Sequence, residues 1–202
     1  NFEAVLQRFT DNTGVETTYS PAGNDIATVI GTQLEGGNPP DVAMLPQPGL
    51  LVEFARRGAL VELEDIAGDL VDANYATVWR DLGTVDGTLY GLWFKAANKS
   101  LVWYNAELFE EIGVEPAETW KEMISAAQTV SDYGMTPFSV GGASAWTLTD
   151  WFENIYIRSA GPQMYDQLTN HEIPWTHSSV KEALQIFKEV VGKPEWLAGG
   201  TQ

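Results

Sequence analysis

At 202 residues, 44% hydrophobic and with 8 Trp, 7 Tyr and 8 Phe, the chain can build one large or two small cores, and intrinsic disorder is excluded. A formal charge of −17, from 28 acids against 11 bases, makes nucleic acid and anionic membrane surfaces poor partners. Both need clustered Lys and Arg, and only Arg56 and Arg57 are adjacent here. There is no cysteine, hence no disulfide, thiolate metal site or cysteine nucleophile, and no apolar run approaches the ~20 residues of a membrane span.

Phe2, Val5, Leu6 and Phe9 share one helical face, and Asp11 to Gly14 stops that helix. A helix this close to the first residue predicts a chain that begins inside a fold, without a leader segment. Residues 15–19 alternate as a strand and 20–24 form a loop. Asp25 is the expected cap of a helix that turns Ile26, Val29, Ile30 and Leu34 inward and ends at Gly36-Gly37. Residues 41–45 read as a short buried strand, and 46–49 turn into a helix carrying Leu50, Leu51, Phe54 and Ala55, closed at Gly58. Such strand–helix alternation predicts a parallel sheet covered by helices.

An acidic helical segment over 65–79 leads to a hairpin over 83–94 that turns at Asp86-Gly87. Leu89 to Phe94 and Leu101 to Tyr104 read as strands, separated by a polar break over 95–100 that a buried sheet would not tolerate. The break therefore predicts a chain that leaves one sheet, passes an open cleft and enters another. Beyond it the spacing predicts a helix over 106–112 ended by Gly113. A capping box at Thr119 and Glu122 opens a helix running to Tyr133 and stopping at Gly134. A strand over 137–140, a Gly-rich loop, a helix opened by Trp146, and a second capping box at Ser179 and Glu182 complete the pattern. The last helix is expected to bury Val180, Ala183, Leu184, Phe187 and Val191. The organisation is two α/β halves: a first lobe over 1–94, a hinge crossing over 95–105, and a second, mostly helical lobe over 106–202.

Trp146 follows a Gly-Gly loop and opens a helix, the crevice position where open α/β sheets bind ligands. Trp93 lies at the crossing. Both offer flat apolar area to a sugar ring, against the competing reading that Trp packs cores and interfaces. Gln47 leaves the 41–45 strand, Asn98 can donate and accept toward paired hydroxyls, and Asp150 sits in the first turn of its helix. Asp150 could equally be a carboxylate favoured by the helix dipole, and Lys95 a solvated charge between the lobes. Catalysis and metal have little in the sequence to carry them. Asp150 and Glu153 are neighbours on one helix face, not a pair opposed across a cleft. There is no nucleophile elbow and no phosphate loop, and His171 and His177, separated by Pro174, lack zinc-site spacing. No metal or other cofactor is expected.

Several stretches, taken together, resemble the extracellular solute-binding proteins of bacterial ABC importers, in the carbohydrate-binding branch related to maltose-binding protein. They are residues 36–45, 58–63, 86–92 with 101–105, 116–122, and the segment from Trp146 to Phe152. The resemblance covers about the first half of such a protein. It implies an α/β, two-lobed, periplasmic-binding-protein-like fold of type II, here incomplete, and a monomer that is not an enzyme. It also implies an extracytoplasmic location, a sugar held in the cleft between the lobes, and delivery to membrane permease subunits. By the same resemblance, Asn98 falls where a polar sugar contact is often placed, and residues 141–151 where a stacking aromatic commonly sits. Two alternatives stay open on the residues: a binding protein of this fold for another solute, such as a polyamine, and a carbohydrate-active hydrolase.

Overall fold

The computed structural model describes residues 2–97, 99 and 101–199. The chain divides into two compact units, Asn1–Ala96 and Ala97–Gln202.

The first unit holds α1 (Phe2–Thr13), α2 (Ile26–Glu35), α3 (Pro48–Arg56), α4 (Glu64–Asn74) and α5 (Thr77–Leu82), followed by the strand pair β1 (Thr84–Val85) and β2 (Thr88–Leu89). The acidic stretch expected as one helix is two, because the chain is extended at Tyr75 and Ala76. β1 and β2 are antiparallel, with Thr84 opposite Leu89 and Val85 opposite Thr88. Asp86 and Gly87 both have positive φ, 51° and 89°, as a two-residue turn matched to strand twist requires. The Arg56 guanidinium pairs with the exposed Asp86 carboxylate through Nε and Nη2, at 3.2 and 3.1 Å. That pair holds the Asp86 carboxyl below its ordinary range. Leu51 and Ala55 of α3 pack with Val85 as the core of the hairpin, flanked by Leu45, Val52, Leu60 and Tyr90. Gly83 is needed for space: a Cβ there would stand 2.2 Å from the Gly91 carbonyl oxygen. The same approach lets the Tyr90 and Gly91 amides both donate to the Gly83 carbonyl, at 2.9 and 3.1 Å.

The second unit holds α6 (Ala106–Ile112), α7 (Trp120–Asp132), α8 (Trp146–Ala160), α9 (Pro162–Thr169) and α10 (Ser178–Val191). The capping box of α7 forms in full, with the Glu122 amide donating to Thr119 Oγ1 and the Glu122 carboxylate accepting from the Thr119 and Glu118 amides. Ile155 and Tyr156 of α8, Leu168 of α9, and Val180 and Ala183 of α10 make one buried cluster. Trp151 stacks on Phe187 with ring centroids 5.9 Å apart and meets Phe138 edge-on at 5.8 Å. Buried Trp196 closes that aromatic row, 6.2 Å from Phe138.

Three expectations are corrected here. Residues 15–19, 41–45, 90–94 and 101–104 form no ladder among the described residues, and of 137–140 only Phe138 bridges, in parallel to Leu197. A strand exists only through a neighbour that takes its N–H and C=O groups, and β-favouring side chains cannot replace that neighbour. Val42, expected buried, is accordingly 85% exposed, and Trp103 is 88% exposed. Next, Asp25 precedes α2 without a side-chain cap bond. Finally, the cap of α10 lies two residues earlier than expected: it is His177, its Nδ1 accepting from the Ser179 amide at 3.3 Å. Ser179 Oγ is instead held 2.9 Å from the Tyr156 hydroxyl, and Leu184 points outward while Val190 is buried.

Candidate functional site

The six residues marked in the sequence fall into both units. In the first unit, Gln47 is the exposed residue before α3; its carbonyl accepts from the Leu50 amide at 3.2 Å, and its amide side chain makes no cap bond. Trp93 is half-buried, its ring 6.0 Å from that of Trp79, and its carbonyl accepts from the Tyr75 hydroxyl at 2.8 Å. Its buried Nε1 has no acceptor among the described residues. Lys95 is exposed and forms no ion pair among the described residues. Asn98 lies outside the described residues.

In the second unit, the Gly-rich loop becomes a turn of 3-10 helix over Gly142–Ser144. Ala145 then takes φ +62°, a conformation that residues with a Cβ rarely adopt, and α8 begins at the next residue. Thr147 Oγ1 fastens the turn by donating to the Gly141 carbonyl. Strain of this sort persists where surrounding structure over-determines it, and it clusters at ligand sites. Here it marks the point from which Trp146 projects, 46% exposed.

Trp146, Asp150 and Glu153 stand at positions i, i+4 and i+7 of α8 and so share one face, while Trp151, Phe152, Ile155 and Tyr156 pack into or against the core. Onto this face comes Lys99, whose Nζ lies 3.3 and 3.2 Å from the two Asp150 carboxylate oxygens and 4.8 Å from the centroid of the Trp146 ring. Asp150 is the less accessible partner, its side chain 25% exposed against 58% for Lys99. Glu153 is exposed by area. Even so, partial desolvation and then the Asp150 charge push its carboxyl above the usual range, with Lys99 opposing. Lys99 was missed in the sequence. The polar break offers two lysines, and nothing in their spacing says which of them meets a residue 51 positions away.

The face can therefore present a planar apolar ring, an anionic acceptor and a cationic donor side by side. Two surface grooves among the described residues include none of the six marked residues. The larger, about 640 Å³, runs between α1 and residues 16–19, and the smaller, about 290 Å³, lies beside α6. The first lies along residues expected as strand, and the absence of a ladder neighbour there explains an open groove better than a ligand does. Among the described residues no group of His, Asp and Glu could hold a metal ion, and no helix is long and apolar enough to cross a membrane.

Comparison with known proteins matches residues 1–199 to the family model of the bacterial extracellular solute-binding proteins. The osmoprotective compounds-binding protein GgtB of Synechocystis is 41% identical over 204 residues, covering 98% of this chain and 48% of that protein. The alpha-glucosides-binding periplasmic protein AglE of Rhizobium meliloti is 37% identical, covering 98% of this chain and 46% of that protein. A structure solved in work on xylan utilization by the thermophilic bacterium Caldanaerobius polysaccharolyticus superposes with a TM-score of 0.77 at 21% identity, over 98% of this chain and 51% of that one. A chitin oligosaccharide binding protein does so with a TM-score of 0.74 at 19% identity, over 99% and 51%. The chain thus spans about half the length of the relatives it matches.

Proposed function

Because the chain belongs to the bacterial extracellular solute-binding proteins, we propose that the whole protein captures a mono- or oligosaccharide and delivers it to the permease of an ABC transporter. It does so outside the cytoplasm, as a monomer and without changing the solute chemically. The observation that carries this reading is the half-open Trp146 ring one turn from the Asp150 carboxylate, on the face of α8 turned away from the core. A flat ring takes the C–H face of a sugar with little loss of side-chain freedom, and a carboxylate takes its hydroxyl donors. Gln47, Trp93 and Lys95 of the first unit, and Asn98, are further candidates for contact with the solute. Two relatives are named for osmoprotective compounds and alpha-glucosides, and an alpha-glucoside that is itself osmoprotective fits both names.

A hydrolase reading has weaker support. Asp150 and Glu153 stand on one side of one helix, whereas a glycosidase pair flanks the bond it cleaves. The test is a thermal-shift screen of the full-length protein against a sugar panel, in which a ligand at 100 times its Kd adds ~2.7 kcal/mol of stability. Trp146→Ala is expected to abolish the sugar-induced tryptophan fluorescence change; unchanged affinity removes Trp146 from the site. Turnover of an aryl glycoside would replace capture with catalysis.

A further inference from the structure

We propose that Lys99 sets the specificity of the Trp146–Asp150 site: its ammonium occupies the place a cationic solute would take, so the site refuses cations and offers N–H donors to neutral hydroxylated solutes. This rests on the reading of the α8 face as a solute site and decides between the solute classes that the fold could serve.

An aromatic face beside a carboxylate is the chemistry that recognises ammonium and polyamine ligands. Taken alone, Trp146 and Asp150 would make such a box, in a chain of net charge −17 that attracts cations. Lys99 fills it from within. Its Nζ straddles both Asp150 oxygens at 3.3 and 3.2 Å, so neither is left without a cation beside it, and the same nitrogen sits 4.8 Å from the Trp146 ring centroid. A second cation on the other ring face would meet the Lys99 charge and an Asp150 carboxylate already paired, with Glu153 the remaining acid of that face. A sugar hydroxyl meets the opposite situation. It can accept from Lys99 and donate to Asp150 while its ring lies on the indole, and the paired charges hold donor and acceptor in fixed positions. A 58% exposed side chain leaves Lys99 accessible to a solute.

The experiment uses the full-length protein and its Lys99→Ala, Lys99→Arg and Lys99→Ala/Asp150→Asn variants, titrated calorimetrically with tetramethylammonium and with the sugar that scores in the panel. Folding is checked by circular dichroism. The wild type is expected to show no tetramethylammonium binding. Lys99→Ala gains it, and the double variant loses it again. In the sugar arm, Lys99→Ala weakens binding by roughly tenfold or more, the scale of one lost charge-assisted hydrogen bond, and Lys99→Arg restores most of it. Wild-type binding of tetramethylammonium, or its absence in Lys99→Ala, overturns the proposal. So does a sugar affinity that Lys99→Ala leaves unchanged. If no sugar binds the wild type, capture of sugars fails as the function while the tetramethylammonium arm still decides the role of Lys99.

Discussion

The extended segments over 41–45 and 101–104 are more apolar in the sequence than the helical layer of α8, α9 and α10, yet the two end in opposite environments. In the layer, Tyr156 and Ala183 are fully buried and Val190 nearly so. In the segments, Val42, Trp103 and Val102 stand in solvent. The difference lies in where each element finds its hydrogen-bond partners. A helix closes its N–H and C=O groups within four residues, so three short helices can assemble their apolar stripes inside one stretch of chain. A strand borrows its partners from elsewhere, and among the described residues only the 84–89 hairpin and the Phe138–Leu197 bridge supply them.

Substitutions can break that contrast. The largest effect belongs to the layer: Leu168→Ala leaves a cavity at a buried site and is expected to cost about 2–5 kcal/mol, read as a lower urea midpoint. A loss below 1 kcal/mol, well under that range, would mean the layer is not a closed core. A smaller, pH-dependent effect belongs to Glu153. Burial and Asp150 raise its carboxyl above the usual range in the folded protein. Its favourable contribution is therefore complete below the unfolded carboxylate range and is lost as pH rises through the folded value. Glu153→Gln should raise the melting temperature at neutral pH and leave it unchanged in acid. An equal shift at both would show that the charge is not the cause. The smallest effect is Val42→Ser, expected to stay within about 0.5 kcal/mol in residues 1–202 because the side chain is in water. A loss above about 1 kcal/mol would show that Val42 is covered in solution.

The helices were legible because their signals are local. The Thr119–Glu122 box, the stop at Gly113 and the Asp86-Gly87 turn each lie within a few residues of the backbone they control. The start of α10 is less legible, since Ser179 looks like a cap but its hydroxyl is engaged by His177 Nδ1 at 2.8 Å and by the Tyr156 hydroxyl at 2.9 Å, and His177 is the cap. The candidate site divides in the same way. Trp146 and Asp150 could be marked because a helix start after a Gly-rich loop is written in adjacent residues. The hydrogen-bond neighbour of Asp150 could not, since Lys99 reaches it across 51 positions.

Short-range pattern settled where the main helices of this acidic, cysteine-free chain lie and that the Thr119–Glu122 box caps one of them. Propensity, capping and turn chemistry act over one or two helical turns, so one dimension suffices to read them. Which apolar segments found cover, and which lysine came to rest on Trp146 and Asp150, depended on long-range packing. Burial and ion pairing are properties of three-dimensional neighbours, and no spacing along the chain encodes them.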